Sequence, residues 1–300
     1  PPIGAVINFY LADNIETLTE ARRKAEKKIR KDGGDVVYPP MDDLREEDLE
    51  QKPYLLFEIK DAKGNVVSRY TDKGKKGLNK SVWNYRMEPT SPVQLKERKP
   101  GRYGSPDWGA LVLPGTYSVT IHKMQGGALT QMAGPTNFKV KMLHDKQIVK
   151  ADKQDLAAFI NEVDNARRNI RASGGIVSAL KKQADYMEKA VMQTPKADPQ
   201  ILVEIDQLKR DLAEIELAMY GDRTRSKREM ESYPGLQGRV ETIVYNLYNH
   251  TEAPTTFERE SLRAAMDEYG AVRPKIKASE DKTALLAKQL TEAGAPYFPK

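Results

Sequence analysis

Three histidines, His122, His144 and His250, are the side chains whose ordinary titration falls near neutral pH. None lies at a metal-ligand spacing such as His-x-x-x-His from another, so they read as surface or capping residues. Carboxylates are abundant, as in Asp42-Asp43 and Glu46-Glu47-Asp48. Glycoside hydrolysis needs two carboxyls held about 5 to 9.5 Å apart in a cleft, whereas neighbouring acids in a polar stretch describe a solvated surface. No serine stands in a Gly-x-Ser-x-Gly elbow. Gly33-Gly34, Gly126-Gly127 and Gly174-Gly175 lack the Gly-Lys-Ser/Thr ending of a phosphate loop. The Asp61-Ala62-Lys63-Gly64-Asn65 stretch lacks the further acidic ligands of a calcium loop and reads as a turn. There is no cysteine, which excludes disulfides, thiolate metal sites and cysteine nucleophiles. Neither a catalytic set nor a cofactor is expected from these residues.

Contact chemistry is easier to find. The basic stretches are Arg22-Arg23-Lys24, Lys73-Gly74-Lys75-Lys76 and Arg223-Thr224-Arg225-Ser226-Lys227-Arg228. The last is the best candidate for touching a polyanion. No aromatic residues interleave it for base stacking, and Glu229 and Glu231 follow at once, so nucleic acid is not the expected partner. Trp83, Tyr85, Trp108 and Tyr117 could form a sugar platform. Trp83 and Tyr117 are better read as core residues of a β-sandwich, where a buried strand tryptophan and a tyrosine near a strand start recur. Trp108 and Tyr103 lie in a proline-rich loop, where exposed aromatics make contacts. The candidate ligand or partner contacts are therefore Trp108, Tyr103, Arg223 and Arg225.

The elements that must position these residues change character near Asp152. Before it, short β-type runs are separated by Gly, Pro and Asn turns. Strands are expected at Ala5 to Leu11, Pro53 to Ile59, Val66 to Thr71, Leu78 to Met87, from the Leu113 to Tyr117 turn through Ile121, and at Asn137 to Met142. A charged helix, Glu16 to Lys31, interrupts them, with Ile15, Leu18, Arg22, Ala25 and Ile29 on one face. It reads as a solvated helix and ends at Gly33-Gly34. The acidic stretch that follows is a loop or short helix, and Glu88 to Trp108 is a long irregular loop. Hairpins at this spacing imply an immunoglobulin-like antiparallel β-sandwich over 1–148, with a helical insertion at about 13–50.

After Asp152 apolar residues recur every three to four positions. One stripe runs from Leu156 to Val191 across Gly174-Gly175, a pair that marks a close helix crossing, a hinge, or a plain helical stretch. Asp198 and Pro199 open a second helix that ends at Gly221. A shorter helix runs from Leu236 to Asn249. The last opens at Thr255 or Thr256 and should kink at Pro274. Four helices with short connections imply an antiparallel four-helix bundle over 152–300.

Three hundred residues fit about two domains. A composition 39% hydrophobic and 31% charged supplies real cores and a heavily solvated surface. The net charge of +6, with a pI of about 9.1, allows weak attraction to anionic surfaces. No apolar run approaches the ~18 residues of a membrane span. The start at Pro1-Pro2-Ile3 reads as a mature piece or a fragment, with any export signal upstream.

Several segments, taken in order, resemble one family. Pro1 to Leu11 resembles the strand that follows the β-propeller in bacterial sortilin-like, BNR-repeat "glycosyl hydrolase" proteins. Leu55-Leu56-Phe57-Glu58-Ile59-Lys60-Asp61-Ala62-Lys63-Gly64-Asn65-Val66-Val67, Gly77 to Arg86 and Leu113-Pro114-Gly115-Thr116-Tyr117-Ser118-Val119 are similar to its later strands. Gly221-Asp222-Arg223-Thr224-Arg225 and Ala293-Gly294-Ala295-Pro296-Tyr297 look like its bundle and tail. The resemblance covers the whole chain as a region C-terminal to the propeller. It implies an exported, periplasmic or cell-surface protein whose propeller holds any hydrolase activity, and it carries no catalytic residue onto this chain. The expected function is a non-catalytic accessory region that docks on the propeller or on another envelope protein. The alternatives are a carbohydrate-binding module acting through Trp108, and part of a glycoside hydrolase.

Overall fold

The computed structural model describes residues 3–93, 95, 108–142, 153–249 and 252–299. The chain forms two compact units, one of residues 1–88 with 111–146, the other of residues 89–110 with 147–300. The architecture is mixed β and α, with two β-sheets and a C-terminal cluster of packed helices.

In the first unit, β1 (Ala5–Leu11) pairs antiparallel with β4 (Gly77–Trp83). The second sheet has the order β3 (Val66–Asp72), β2 (Tyr54–Asp61), β5 (Gly115–Gln125), β6 (Ala128–Val140), all neighbours antiparallel. Period-2 alternation explains the core. Leu55, Phe57 and Ile59 of β2 and Tyr117, Val119 and Ile121 of β5 turn inward to meet Leu11 and Trp83 of the other sheet. Aromatic contacts cross between the sheets, with ring centroids 5.5 Å apart for Phe9 and Phe57 and 5.7 Å for Trp83 and Tyr117. Trp83 Nε1 donates to the Arg86 carbonyl and Tyr117 Oη donates to the Leu113 carbonyl, so both buried polar tips are satisfied. The β2–β3 turn follows the sequence expectation. Asp61 Oδ1 accepts from the backbone of Lys63 and Asn65, and Gly64 takes a positive φ.

Three strands differ from expectation by four residues or more, one of them β5, which runs on to Gln125 instead of ending at Ile121. The last strand starts at Ala128 instead of Asn137, because its first half is exposed on both faces and shows no alternation. The Leu78 to Met87 strand ends at Trp83, beyond which Tyr85 adopts φ 60°.

The insertion holds α1 (Leu18–Lys31) and α2 (Met41–Leu49), neither of which buries a residue. A capping box between Thr17 and Glu20 starts α1. Polar contacts tie the two helices together. Arg22 pairs with Glu47 and Glu26, Thr19 donates to Glu47, and the Leu18 amide donates to Glu50.

The second unit is built on α3 (Lys153–Met192), α4 (Gln200–Tyr220), the short α5 (Arg223–Ser226), α6 (Leu236–Leu247) and α7 (Thr256–Glu292). α3 passes through Gly174-Gly175 and α7 through Pro274 without a break. Side-chain pairs give the directions. Lys181 with Glu216, and Lys209 with Asp185 and Glu188, set α4 antiparallel to α3. Arg167 and Arg171 with Glu241, and Tyr248 with Asp164, set α6 antiparallel to α3 as well. Asp155 with Arg259 and Ser173 with Tyr269 set α7 parallel to α3. Thus α4 and α6 run in the same direction, one after the other, along the pair α3 and α7. This differs from the alternating up-and-down order expected of four antiparallel helices. The reason is that Gly221 to Gly235 does not reverse the chain.

Candidate functional site

Gly221 and Gly235 bracket an excursion that leaves the helical rod and returns to its point of departure. Gly221 ends α4 at φ 79°, and its amide donates to the Leu217 carbonyl. Gly235 opens α6. A Cβ at Gly235 would lie 2.4 Å from the Gly221 nitrogen and 2.6 Å from the Tyr220 carbonyl carbon. Only a glycine lets the two backbones approach that closely. A surface loop of this length, with touching ends and its own internal packing, is an Ω-loop, a form that frequently carries function.

The loop is held by local hydrogen bonds. Asp222 Oδ1 accepts from the amides of Thr224 and Arg225 at 2.9 and 3.0 Å, starting the α5 turn. The Arg225 carbonyl accepts from the amides of Arg228 and Met230. Glu229 has φ 56°, a left-handed conformation that a glutamate rarely adopts. Ser226 and Ser232 hydroxyls meet at 3.3 Å across the loop. At the base, Arg239 donates to the Pro234 carbonyl and pairs with Glu268 of α7 at 2.9 Å.

A cavity of about 620 Å³ opens between loop and rod, with Leu217, Arg225, Glu231, Tyr233 and Arg239 in its wall. Leu217 and Tyr233 are largely exposed. The Arg225 guanidinium makes no ion pair or hydrogen bond among the described residues. Arg223 points elsewhere, stacking 5.0 Å from the ring centroid of Tyr220. The Tyr220 hydroxyl lies over α3 where Gly174 leaves room, and burial raises its phenol. Gly174 therefore marks a close crossing.

Of the contacts predicted from sequence, Arg223 and Arg225 fall on this loop. Trp108 is 44% exposed and does not line the cavity, while Tyr103 lies outside the described residues. His144 and His250 also lie outside them, and His122 is half-buried in β5 opposite Leu56 and Gln131. Tyr233, Arg239 and Glu268 were not predicted. The available signal was the bracket of Gly221 and Pro234-Gly235.

Beside the first helix of the insertion, the carboxylates of a second cleft are committed to structural tasks. Glu20, Glu47 and Glu50 line a cavity of about 520 Å³ beside α1. Glu20 and Glu50 accept from backbone amides at the start of α1, and Arg22 holds Glu47 below the usual carboxylate range. In the helical unit, burial raises Asp164 despite the hydrogen bond from Tyr248. Among the described residues, no group of three or more His, Asp or Glu could hold a metal ion, and no helix is long and apolar enough to cross a membrane. No family model, curated protein sequence or solved structure matches the chain.

Proposed function

We propose that this chain is a non-catalytic interaction region of an exported bacterial sortilin-like, BNR-repeat protein, and that it docks on the propeller or on a partner envelope protein through the Ω-loop. The observation that carries this reading is the loop itself. It interrupts an otherwise continuous helical rod to present an uncommitted arginine and an exposed tyrosine around a 620 Å³ concavity. Arginine and tyrosine are the residue types that dominate binding energy at protein interfaces, and a rigid base keeps their ordering cost low. The first unit supports the same family reading. Its two sheets share one core, and the Tyr117 hydroxyl reaches back to the Leu113 carbonyl as at the tyrosine corner of an immunoglobulin-like sandwich.

The test is surface plasmon resonance of the chain against an immobilised sortilin-like propeller and against envelope extract. The expected result is specific binding that weakens at least tenfold in Arg225→Ala/Tyr233→Ala, as for loss of an interface hot spot. Binding unaffected by this pair of substitutions, or no binding to either, overturns the proposal.

A further inference from the structure

An open β-strand is a ready template for another chain, so sheet edges are normally blunted by charge, proline, bulges or a covering segment. The two sheets of the first unit end in β3, β6, β4 and β1. β3 is covered by Glu88, whose amide donates to the Val67 carbonyl and whose carboxylate accepts from the Arg69 amide. β6 carries Pro135 and two register shifts against β5. β4 carries Lys80, and the Asn79 side chain closes its entry by bonding the Lys75 amide and carbonyl. Just past its end, Arg86 bridges to Leu111. β1 has none of these devices. Its sequence Ala5-Val6-Ile7-Asn8-Phe9-Tyr10-Leu11 holds no charge and no proline, and it pairs with β4 in unbroken register over all seven residues. On its other side, no group among the described residues bonds its backbone. Its side chains are short of cover as well. Ile7 and Phe9 pack against the core yet stay half-buried, and on the outer face Val6 and Tyr10 are 47% and 70% exposed.

We infer that β1 pairs antiparallel with β1 of a second copy of this chain, joining two two-stranded sheets into one of four strands. The strand's match to itself singles out this occupant. Its polarity reads the same in both directions, three apolar residues on either side of Asn8. Keeping both cores on one side of the joined sheet requires a register of like parity, and the register centred on Asn8 uses the whole strand. Asn8 then meets its own counterpart, Val6 meets the second copy's Tyr10, and Ile7 meets its Phe9. Within each chain Val6 already lies beside Val82, Asn8 beside Lys80, and Tyr10 beside Leu78, itself 81% exposed. The outer face of the joined sheet therefore carries two apolar rows, each Val82, Val6, Tyr10, Leu78 across the two chains. One polar row, Lys80, Asn8, Asn8, Lys80, runs between them. Aromatic and β-branched side chains set opposite each other are favourable cross-strand pairs. The two lysines stand three strand spacings apart, about 14 Å, beyond the ~10 Å over which exposed charges act. The contact is isologous, so it closes at two chains. Seven paired residues span only about 23 Å, so dissociation in the micromolar range is expected.

The test is sedimentation velocity of the full chain from about 1 to 200 µM, where a reversible monomer–dimer transition is expected. Asn8→Lys places two new lysines side by side, each next to a Lys80, and should weaken the dimer about tenfold. Asn8 is exposed, and circular dichroism checks that the variant folds. Crosslinking reads the register, because the chain has no cysteine of its own. Opposite residues of an antiparallel pair have Cα atoms about 4.5 to 5.5 Å apart, within disulfide reach. Asn8→Cys should therefore give a covalent dimer under mild oxidation. Tyr10→Cys alone should not, since its counterpart lies about 13 Å further along the strand, but an equal mixture of Tyr10→Cys and Val6→Cys should. A dimer unaffected by Asn8→Lys overturns the inference, as does crosslinking of Tyr10→Cys alone as efficient as that of Asn8→Cys. A chain that stays monomeric throughout overturns it in favour of a strand from another protein.

Discussion

Tyr70 stacks on Phe57 with centroids 4.9 Å apart and planes 7° from parallel, and its hydroxyl accepts from Ser81 at 3.4 Å. Burial, reinforced by nearby Asp72, pushes its phenol up to about 12. The folded chain thus keeps this proton at a pH where the unfolded chain, ionising near 10, has begun to lose it. Linkage then fixes the sign. The Tyr70 contribution to stability is constant below about pH 10 and falls as pH rises from 10 towards 12. Tyr70→Phe removes that component. Urea unfolding followed by Trp83 fluorescence, in a Trp108→Phe background, should show a shallower alkaline decline for Tyr70→Phe. Parallel curves would refute this assignment. The same scale shows how buried charge is managed in the helical unit. Arg167 is 5% exposed, but its guanidinium is met by both oxygens of Glu241 and by the Thr90 hydroxyl. Arg171 shares Glu241 and reaches Ser91. The residues at 90 and 91 are thereby fastened to α3, which gives a polar function to a stretch that sequence describes only as a proline-rich loop.

Glycines at the element scale separate two roles that look alike in sequence. Gly175 lies inside α3, and a Cβ there would meet nothing within 4 Å. Gly175→Ala should stabilise the helical unit by about 1 kcal/mol through helix propensity. Gly235→Ala would place its methyl against the backbone of Gly221 and should destabilise by at least ~2 kcal/mol. Thermal unfolding by circular dichroism at 222 nm checks both, and equal effects of the two substitutions would contradict the closed base. Most element boundaries were legible in sequence because burial imprints a period. Leu55, Phe57 and Ile59 alternate since one face of β2 is inward, and Leu208, Leu212 and Ile215 repeat since one stripe of α4 is. Where burial leaves no imprint, legibility rests on other signals, as on the Gly33-Gly34 stop that marked α1, and fails without them. The first half of β6 is exposed throughout, and α2 buries nothing. The direction of α6 was illegible for another reason. Gly221 and Pro234-Gly235 signal a break, but whether a break reverses the chain or returns it to its own axis is decided by the contact between the two glycines, which are far apart in sequence. Arg223 and Arg225 were found for their charge, whereas Arg239 and Glu268 enter the site only through that contact.

Over the whole molecule, the apolar surface is distributed unevenly. The sheets of the first unit close around a single aromatic-rich core, while the insertion between β1 and β2 contributes no buried residue from either of its helices. Replacing residues 18–50 by a Gly/Ser linker should therefore leave the core of that unit intact. Trp83 emission should keep its native maximum, and the midpoint of unfolding should move by less than about 5 °C, the equivalent of roughly 1 kcal/mol for a unit of this size. A collapse of the transition would show that the insertion supports the sheets. Two of the three basic stretches, those on α1 and the Ω-loop, thus lie on additions to frameworks that do not need them for their cores. For the loop this has a practical meaning. Because Gly221 and Gly235 touch, the helices on either side keep their spacing whatever number of residues joins them, so the segment between is a cassette. Foreign peptides, affinity tags or fluorophore-bearing inserts could be grafted there, and natural variation in length could accumulate there, without shifting the register of the rod beneath.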